Sequence, residues 1–287
     1  MSQGITSDGY VHMTSSNIHL RTVRGFGDEL QRFDQTGMRS DDAERLFQKY
    51  FSNFPWNKLP ENAVGFDMGC GSGRWAKFVA PKVGTLYCVD PSEAIHVARK
   101  NLVPFQNCVL AHESVDRFSA DHSMDFGYSL GVLHHIPDTQ AALSACVRKL
   151  KPGAPFLVYL YYRFDNRPTW FQYIWRASDF LRRFISKTPY PVRYFLSQAI
   201  AVTVYWPLAR MSFILEKCGC HVDHLPLSSY RNLGFYVMRT DALDRFGTQL
   251  EQRFTKDEIQ EMMANAGLKD IVFNENEPYW CAVGIKR

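Results

Sequence analysis

Three glycines at alternate positions, Gly69, Gly71 and Gly73, close the segment Val64-Gly-Phe-Asp67-Met-Gly-Cys-Gly-Ser-Gly73, where an apolar run ends and helix-forming residues begin. A chain that turns this tightly between a strand and a helix presents backbone amides to a ligand, and the missing side chains permit close approach. A dinucleotide pyrophosphate calls for G-x-G-x-x-G, whose third glycine falls at position 74, where this chain has Arg74. The spacing therefore disfavours a nicotinamide oxidoreductase. Seventeen residues after Gly73, Asp90 ends the run Leu86-Tyr-Cys-Val. A carboxylate at the tip of a second strand is placed to accept both hydroxyls of a ribose. His134 and His135 follow Ser129-Leu-Gly-Val-Leu. One of them, His135 ahead of His134, is a candidate base for an acceptor that must lose a proton. The competing reading is a structural histidine at the start of the next helix.

The elements around these residues follow a rhythm. Strand-like runs at 63–68, 85–89, 107–110, 124–130 and 154–162 alternate with helix-like segments at 73–82, 92–101 and 139–151. Such alternation predicts a parallel sheet with right-handed crossovers. Upstream, Ser40-Asp-Asp-Ala-Glu-Arg-Leu-Phe predicts a helix capped by Ser40, with two acids in its first turn and Leu46, Phe47, Tyr50 and Phe51 on its apolar face. Downstream, Thr255-Lys-Asp-Glu opens a capped helix ending at Gly267, followed by strands near 269–274 and 279–286.

Between 163 and 253 the rhythm stops. Aromatics such as Trp170, Tyr173, Trp175, Phe180 and Phe184 interleave with Arg176, Arg182, Arg183 and Lys187, and the acids across 163–215 ahead of Glu216 are Asp165 and Asp179. The plainest expectation is a helical cap whose aromatics form its own core. The alternatives are a wall for an anionic glycan, a lipid headgroup, a membrane amphiphile or RNA. Tyr162, Arg163 and Arg167 leave the fifth strand toward the mouth of the site and are the candidate acceptor contacts. The charged segment 236–246 reads equally as a folding device or a pocket wall.

Together, Asp67-Met-Gly-Cys-Gly-Ser-Gly, Asp90 and Ser129-Leu-Gly-Val-Leu-His-His-Ile-Pro-Asp resemble the class I S-adenosylmethionine-dependent methyltransferases, in the small-molecule "VLHH", type 11-like branch. The resemblance covers about residues 60–162 and 255–287. It implies an α/β, Rossmann-like, seven-stranded, mostly parallel sheet with a C-terminal antiparallel hairpin and a mainly helical inserted lid. The corresponding division is 1–60 over the cofactor site, 61–162 with 254–287 as the core, and 163–253 as the lid. It implies S-adenosyl-L-methionine as cofactor. Gly69, Gly71 and Gly73 would approach its methionine part, Asp67 would orient that loop and Asp90 would bind the ribose. Glu113, with Ser114 beside it, would meet the adenine amine, and Leu130 and Gly131 would lie by the sulfonium. The segment Phe26 to Phe33 resembles one in methyltransferases of glycan and secondary-metabolite pathways and is expected to fold over the cofactor. Arg32 or Arg39 would meet the cofactor carboxylate, unless either makes only a surface ion pair. The implied activity is transfer to a small-molecule acceptor, with O-methylation of a sugar or glycan precursor or of an amphiphile ranked first. The alternatives are a cofactor-binding protein without transfer and an RNA-directed enzyme. Neither an Asn/Asp-Pro-Pro-aromatic turn nor a Pro-Cys nucleophile is present, so base methylation is disfavoured.

Composition agrees with a folded enzyme of this size. The 287 residues are 46% hydrophobic and 22% charged, near the globular average. A net charge of +4 does not by itself imply a nucleic-acid partner. Seven scattered cysteines read as reduced thiols in the cytoplasm rather than a disulfide framework. Cys218, Cys220, His221 and His224 lack a second ligand pair, so no metal is expected. No leader-like run appears from Met1 to Asp8. The most apolar stretch, 199–208, falls short of the roughly 20 residues that cross a bilayer, so the chain is expected to be soluble, with peripheral membrane contact left open.

Overall fold

The strands β1 (Val64–Met68), β2 (Thr85–Val89), β3 (Cys108–Ala111), β4 (Phe126–Leu130), β5 (Pro155–Tyr159), β6 (Leu268–Phe273) and β7 (Ala282–Lys286) form one sheet in the order β3-β2-β1-β4-β5-β7-β6. The computed structural model describes residues 17–120 and 123–287; the leader reading, on Met1 to Asp8, lies outside them. The first five strands pair in parallel, and β7 runs antiparallel between β5 and β6. The expected mostly parallel sheet with a C-terminal antiparallel hairpin is thus present. The strand order reverses between β1 and β4, which opens a crevice at their carboxyl ends.

The helices are α1 (Leu20–Arg32), α2 (Ser40–Tyr50), α3 (Ala76–Val79), α4 (Ala94–Asn101), α5 (Thr139–Arg148), α6 (Thr169–Ile185), α7 (Tyr190–Ile200), α8 (Trp206–Lys217), α9 (Phe235–Gly247) and α10 (Lys256–Asn265). Period-2 alternation sends Phe66 and Phe156 to the core on one sheet face and Phe126, Tyr128 and Leu157 to the other. Gly65 lies under the Phe126 ring and Gly127 under the Phe66 ring, where an added Cβ would fall within 2.2 Å and 2.3 Å of ring carbons. These glycines let two phenylalanines pack directly on the neighbouring strand, which seats β1 and β4 side by side beneath the crevice.

Two local expectations are refined and a third holds. The segment read as a helix over 73–82 is the short α3 followed by a tight turn at Ala80–Lys82, because Pro81 has no N–H to continue the ladder. Ser40 is the first helical residue rather than the cap, which is Arg39. Asp42 is fully buried and accepts from Arg39 Nε (3.0 Å), Arg45 Nη2 (2.9 Å) and the Gly234 amide (3.0 Å). It therefore fastens α2 to the start of α9. The cap at Thr255 is as read, with the Glu258 amide donating to Thr255 Oγ1 (3.2 Å) and the Thr255 amide to Glu258 Oε2 (2.7 Å).

Between β5 and α10 the chain forms the helices α6 to α9. Their shared core is small, built on Ile185, Ala201, Tyr205, Met238 and Phe246. Helices α7 and α8 join through a five-residue π turn into one helix, Tyr190–Lys217, of 28 residues. By length and composition that helix could cross a bilayer, which the apolar run 199–208 alone did not suggest. Its inner face is fastened to the domain along its length: Arg193 to Asp28 (3.7 Å), Gln198 to Arg239 (2.6 Å) and Arg210 to the Leu233 carbonyl (3.2 Å). It lies along the domain rather than away from it.

Helix α1 closes the crevice from above, packed on α4 and α9. Leu30 approaches to 3.0 Å of where a Cβ on Gly71 would sit. Two bonds tie this end of the chain to the region around α9, from the Gln35 amide to the Tyr236 hydroxyl (3.0 Å) and from the Leu250 amide to Thr22 Oγ1 (3.3 Å).

Candidate active site

The glycine loop after β1 has left-handed backbone at Gly69 (φ 80°), Gly71 (53°) and Gly73 (77°). At Gly69 a side chain is doubly excluded, since its Cβ would also fall 2.4 Å from Val132. Asp90, at the tip of β2, is buried and holds this loop: Oδ2 accepts the Gly71 amide (2.8 Å), and Oδ1 accepts the Ser92 amide (2.8 Å) and hydroxyl (2.6 Å). Burial raises its pKa, against the lowering effect of those donors. Asp67 lies beneath the loop and off the cavity wall. Burial pushes its carboxyl up to about 8, moderated by the adjacent Tyr128 hydroxyl.

Gly69, Gly71, Asp90, Ser114, Val115, Leu130 and Gly131 all face one cavity of about 730 Å³. Gly73 is buried behind the loop and Glu113 is exposed, and neither is on the wall. At the position where an adenine contact was expected, Ser114 and Val115 line the cavity and Glu113 points out to solvent. S-adenosylmethionine fits the residues present. Gly131 (φ 77°) has open space where a Cβ would stand, and Asp90 Oδ2, which accepts only the Gly71 amide, keeps a lone pair for a ligand in the same cavity.

The same cavity continues beneath α1, α6, α8 and α9, and its far walls are aromatic: Tyr50, Trp75, Tyr159, Tyr161, Trp175 and Tyr205. Besides Asp90, the acids lining it are Glu29, Asp241, Asp244 and Glu277, the last held by Arg167. The Tyr230 hydroxyl donates to Asp241 (2.8 Å), and the Tyr161 hydroxyl donates to Asp244. Burial, and next to it Asp244 and Asp241, hold the Glu29 carboxyl well above the carboxylate range; burial pushes Asp241 up to about 6 despite the Tyr230 donor. Arg74 also lines the cavity, its guanidinium 4.2 Å over the Trp75 ring, with no ion pair among the described residues. Asp241 and Asp244 put the segment 236–246, read from sequence as either a folding device or a pocket wall, on the wall, and Glu29 lies in the segment expected to fold over the cofactor. Arg74 was weighed only as a missing glycine, and the acids of α9 carry no motif, since the folding of a distant helix over the crevice brings them in.

The two histidines part company in the tight turn at Leu133–His135. His134 is fully buried and off the wall, its ring stacked 3.8 Å from Tyr161 and its Nδ1 accepting the Tyr161 amide (3.4 Å). It has no access to an acceptor and serves as a strut. His135 lines the cavity. Its Nδ1 lies 2.7 Å from the Leu250 carbonyl, which can only accept, so Nδ1 carries the proton and Nε2 keeps its lone pair. Nε2 is buried and has no hydrogen-bond partner. Burial lowers the His135 pKa, so the ring is neutral at physiological pH.

Of the expected acceptor contacts, Tyr162 and Arg167 line the cavity. Arg167 donates to the Tyr162 hydroxyl (3.3 Å) and pairs with Glu277 (2.9 Å), so it braces the start of the lid against the loop before β7. Arg163 is exposed, paired with Glu258 (3.0 Å), and off the wall. Arg39 pairs with Asp42, and Arg32 sits 4.9 Å over the Tyr194 ring; neither lines the cavity. Cys218 and Cys220 are exposed free thiols, and among the described residues no group of three potential metal ligands assembles.

Comparison with known proteins adds to this geometry. Residues 66–158 match the family described as "Methyltransferase domain". A protein of Aromatoleum aromaticum named ubiquinone biosynthesis O-methyltransferase is 29% identical over 136 residues, which are 44% of this chain and 58% of that one. An Escherichia coli protein of the same name is 26% identical over 184 residues, 60% of this chain and 75% of that one. The structure of human N-acetylserotonin methyltransferase in complex with SAM aligns at TM-score 0.51 and 15% identity, covering 91% of this chain and 56% of that one. That likeness is one of fold.

Proposed function

From the premise that this chain carries a methyltransferase domain of the class I fold, with S-adenosylmethionine as its cofactor, we infer that it O-methylates an amphiphilic, ring-bearing small molecule. The observation that carries the reading is His135. Its Nε2 lone pair is neutral, buried and unpartnered on the wall of a cavity that joins the glycine loop to an aromatic chamber. When bound, S-adenosylmethionine supplies an electrophilic methyl on a sulfonium.

The work left to the chain is positioning and one proton. The aromatic walls hold the flat, apolar part of the acceptor, and the lid and α1 exclude water from it. A hydroxyl oriented at His135 gives its proton to Nε2 as its oxygen takes the methyl, and the Leu250 carbonyl stabilises the resulting imidazolium through Nδ1–H. The far walls are mainly aromatic and aliphatic, and the acids of α9 on them are already engaged by the Tyr230 and Tyr161 hydroxyls, which favours an amphiphile over a sugar. The relatives named O-methyltransferases support oxygen as the acceptor atom.

A matched panel of alkylated phenols, sugars and nucleosides, offered with methyl-labelled cofactor, tests this. We expect phenols to be labelled as ethers, with kcat/KM rising about threefold to fourfold per methylene until the chamber is filled. Labelling of sugars or nucleosides alone, or indifference to chain length, would overturn the acceptor class.

A further inference from the structure

We propose that the outer face of α6, together with that of the continuous helix Tyr190–Lys217, docks on an anionic lipid bilayer and opens the cavity to an acceptor dissolved there. The proposal rests on the reading of the chamber as an amphiphile site.

Helix α6 is amphipathic in the reverse of the usual sense. Its inward face carries Asp179 and Arg182, both buried and joined at 2.8 Å. Its outward face carries Trp170, Tyr173 and Ile174 and, two turns on, Phe180, Leu181 and Phe184, which helical geometry gathers into one stripe, with Phe180 66% and Phe184 58% exposed. Across the cavity mouth, Phe195, Val202, Val204, Trp206, Met211 and Ile214 are exposed on the second helix. An uncovered apolar surface on two neighbouring helices is more than the scattered exposure of a soluble surface.

Charge selects the occupant. Between Asn166 and Leu215 the single acid is Asp179, which is buried and paired with Arg182 and Arg183. By helical spacing, Arg176 and Arg183 flank one edge of the α6 stripe, and Lys187 lies in the turn just after the helix; all three are exposed. Apolar residues bordered by basic ones, with the one acid of the two helices that is not buried, Glu216, at the far end and paired with Arg231 (2.8 Å), complement the interface of an anionic bilayer. The cavity supplies a second, independent link. Ile174, Leu181 and Val204 belong to both surfaces: they are 52%, 48% and 42% exposed, and they line the cavity. The mouth of the acceptor chamber is therefore set within the apolar face, and an amphiphile can pass from lipid to chamber without crossing water.

The test is flotation of the full chain with vesicles of phosphatidylcholine and phosphatidylglycerol in a two-to-one ratio, against phosphatidylcholine alone, at low and high salt. We expect association with the mixed vesicles that weakens with salt and is at least about tenfold weaker on phosphatidylcholine. The pair Phe180→Asp with Phe184→Asp, and separately Arg176→Glu with Lys187→Glu, should each reduce association about tenfold or more. Neither pair lines the cavity, so the thermal shift produced by S-adenosylhomocysteine should be unchanged, and the exposed charge pair tests the face even if the aspartates impair folding. Absence of association with the mixed vesicles, or equal association with both kinds, would overturn the proposal. So would a concentration-dependent dimer in sedimentation that Phe180→Asp with Phe184→Asp dissolves, since the face would then bind a second copy. Transfer to a detergent-dispersed phenol by a protein that ignores vesicles removes the docking and leaves the acceptor reading intact. Vesicle association without phenol transfer does the reverse.

Discussion

Replacing His135 by glutamine is expected to lower the methyl-transfer turnover by about 10²–10⁴-fold, the usual contribution of a positioned base. The thermal shift with S-adenosylhomocysteine should stay near that of the wild type, because no atom of His135 supports the glycine loop. The pH dependence separates a base from a packing residue. The Nε2 lone pair is available above the His135 pKa, which burial moves below its ordinary 6.5. Turnover should therefore be flat through neutrality and fall on the acid side, below about 6.5. In His135→Gln that acid limb should disappear with the rate. Equal turnover in His135→Gln and wild type would remove the base from the mechanism.

The second large effect is on stability. Glu251 is almost wholly buried between Arg245 and Arg253, the latter at 2.7 Å, and both guanidiniums line the cavity. Burial works against its charge, but Arg253 and Arg245, with Arg182 behind them, hold its carboxyl down at about 2. Glu251→Ala leaves two buried cations facing each other and should destabilise the fold by about 3–5 kcal/mol, measured as a lower urea midpoint. The sign with pH follows from the depressed value. The stabilisation is complete above the ordinary carboxyl value of 4.5 and is lost as pH falls through about 2, so wild type and variant should converge in acid. Unchanged stability in Glu251→Ala at neutral pH would show that the cluster contributes no more than a surface ion pair. Because Leu250 precedes Glu251 and holds His135, the same cluster also fixes the orientation of the imidazole.

The parts of this account that are local in sequence were legible there. The glycine loop, Asp90, the capping box at Thr255 and the strand–helix alternation each declare themselves within a few residues, and the sheet order follows from them once the hairpin is recognised. What was not legible depends on rotation or on distance. His134 and His135 are adjacent, yet one tight turn sends the first into the core and the second to the cavity. Tyr162 and Arg163 are adjacent in an extended segment, where successive side chains point to opposite sides, so only Tyr162 faces inward. Glu113 and Ser114 differ in the same way. The aromatics of the insert were expected to form its own core. Tyr205 and Phe246 do so, but the stripe from Trp170 to Phe184 faces outward, and composition cannot distinguish the two because each uses helical spacing. Asp42 looked like a first-turn acid matched to the helix dipole, and its partner at Gly234 lies 192 residues away.

The central claim, that this chain moves a methyl group from S-adenosylmethionine to an amphiphilic acceptor, is tested most directly by label transfer into a fractionated host extract. Lipid, polysaccharide, polar-metabolite, nucleic-acid and protein fractions would be counted, with Asp90→Ala as the control that loses the proposed ribose acceptor and the clasp on Gly71. The account predicts label in the lipid-extractable fraction as an alkali-stable ether, absent with Asp90→Ala. Label in nucleic acid or protein, or none in any fraction while S-adenosylhomocysteine still binds, would contradict it.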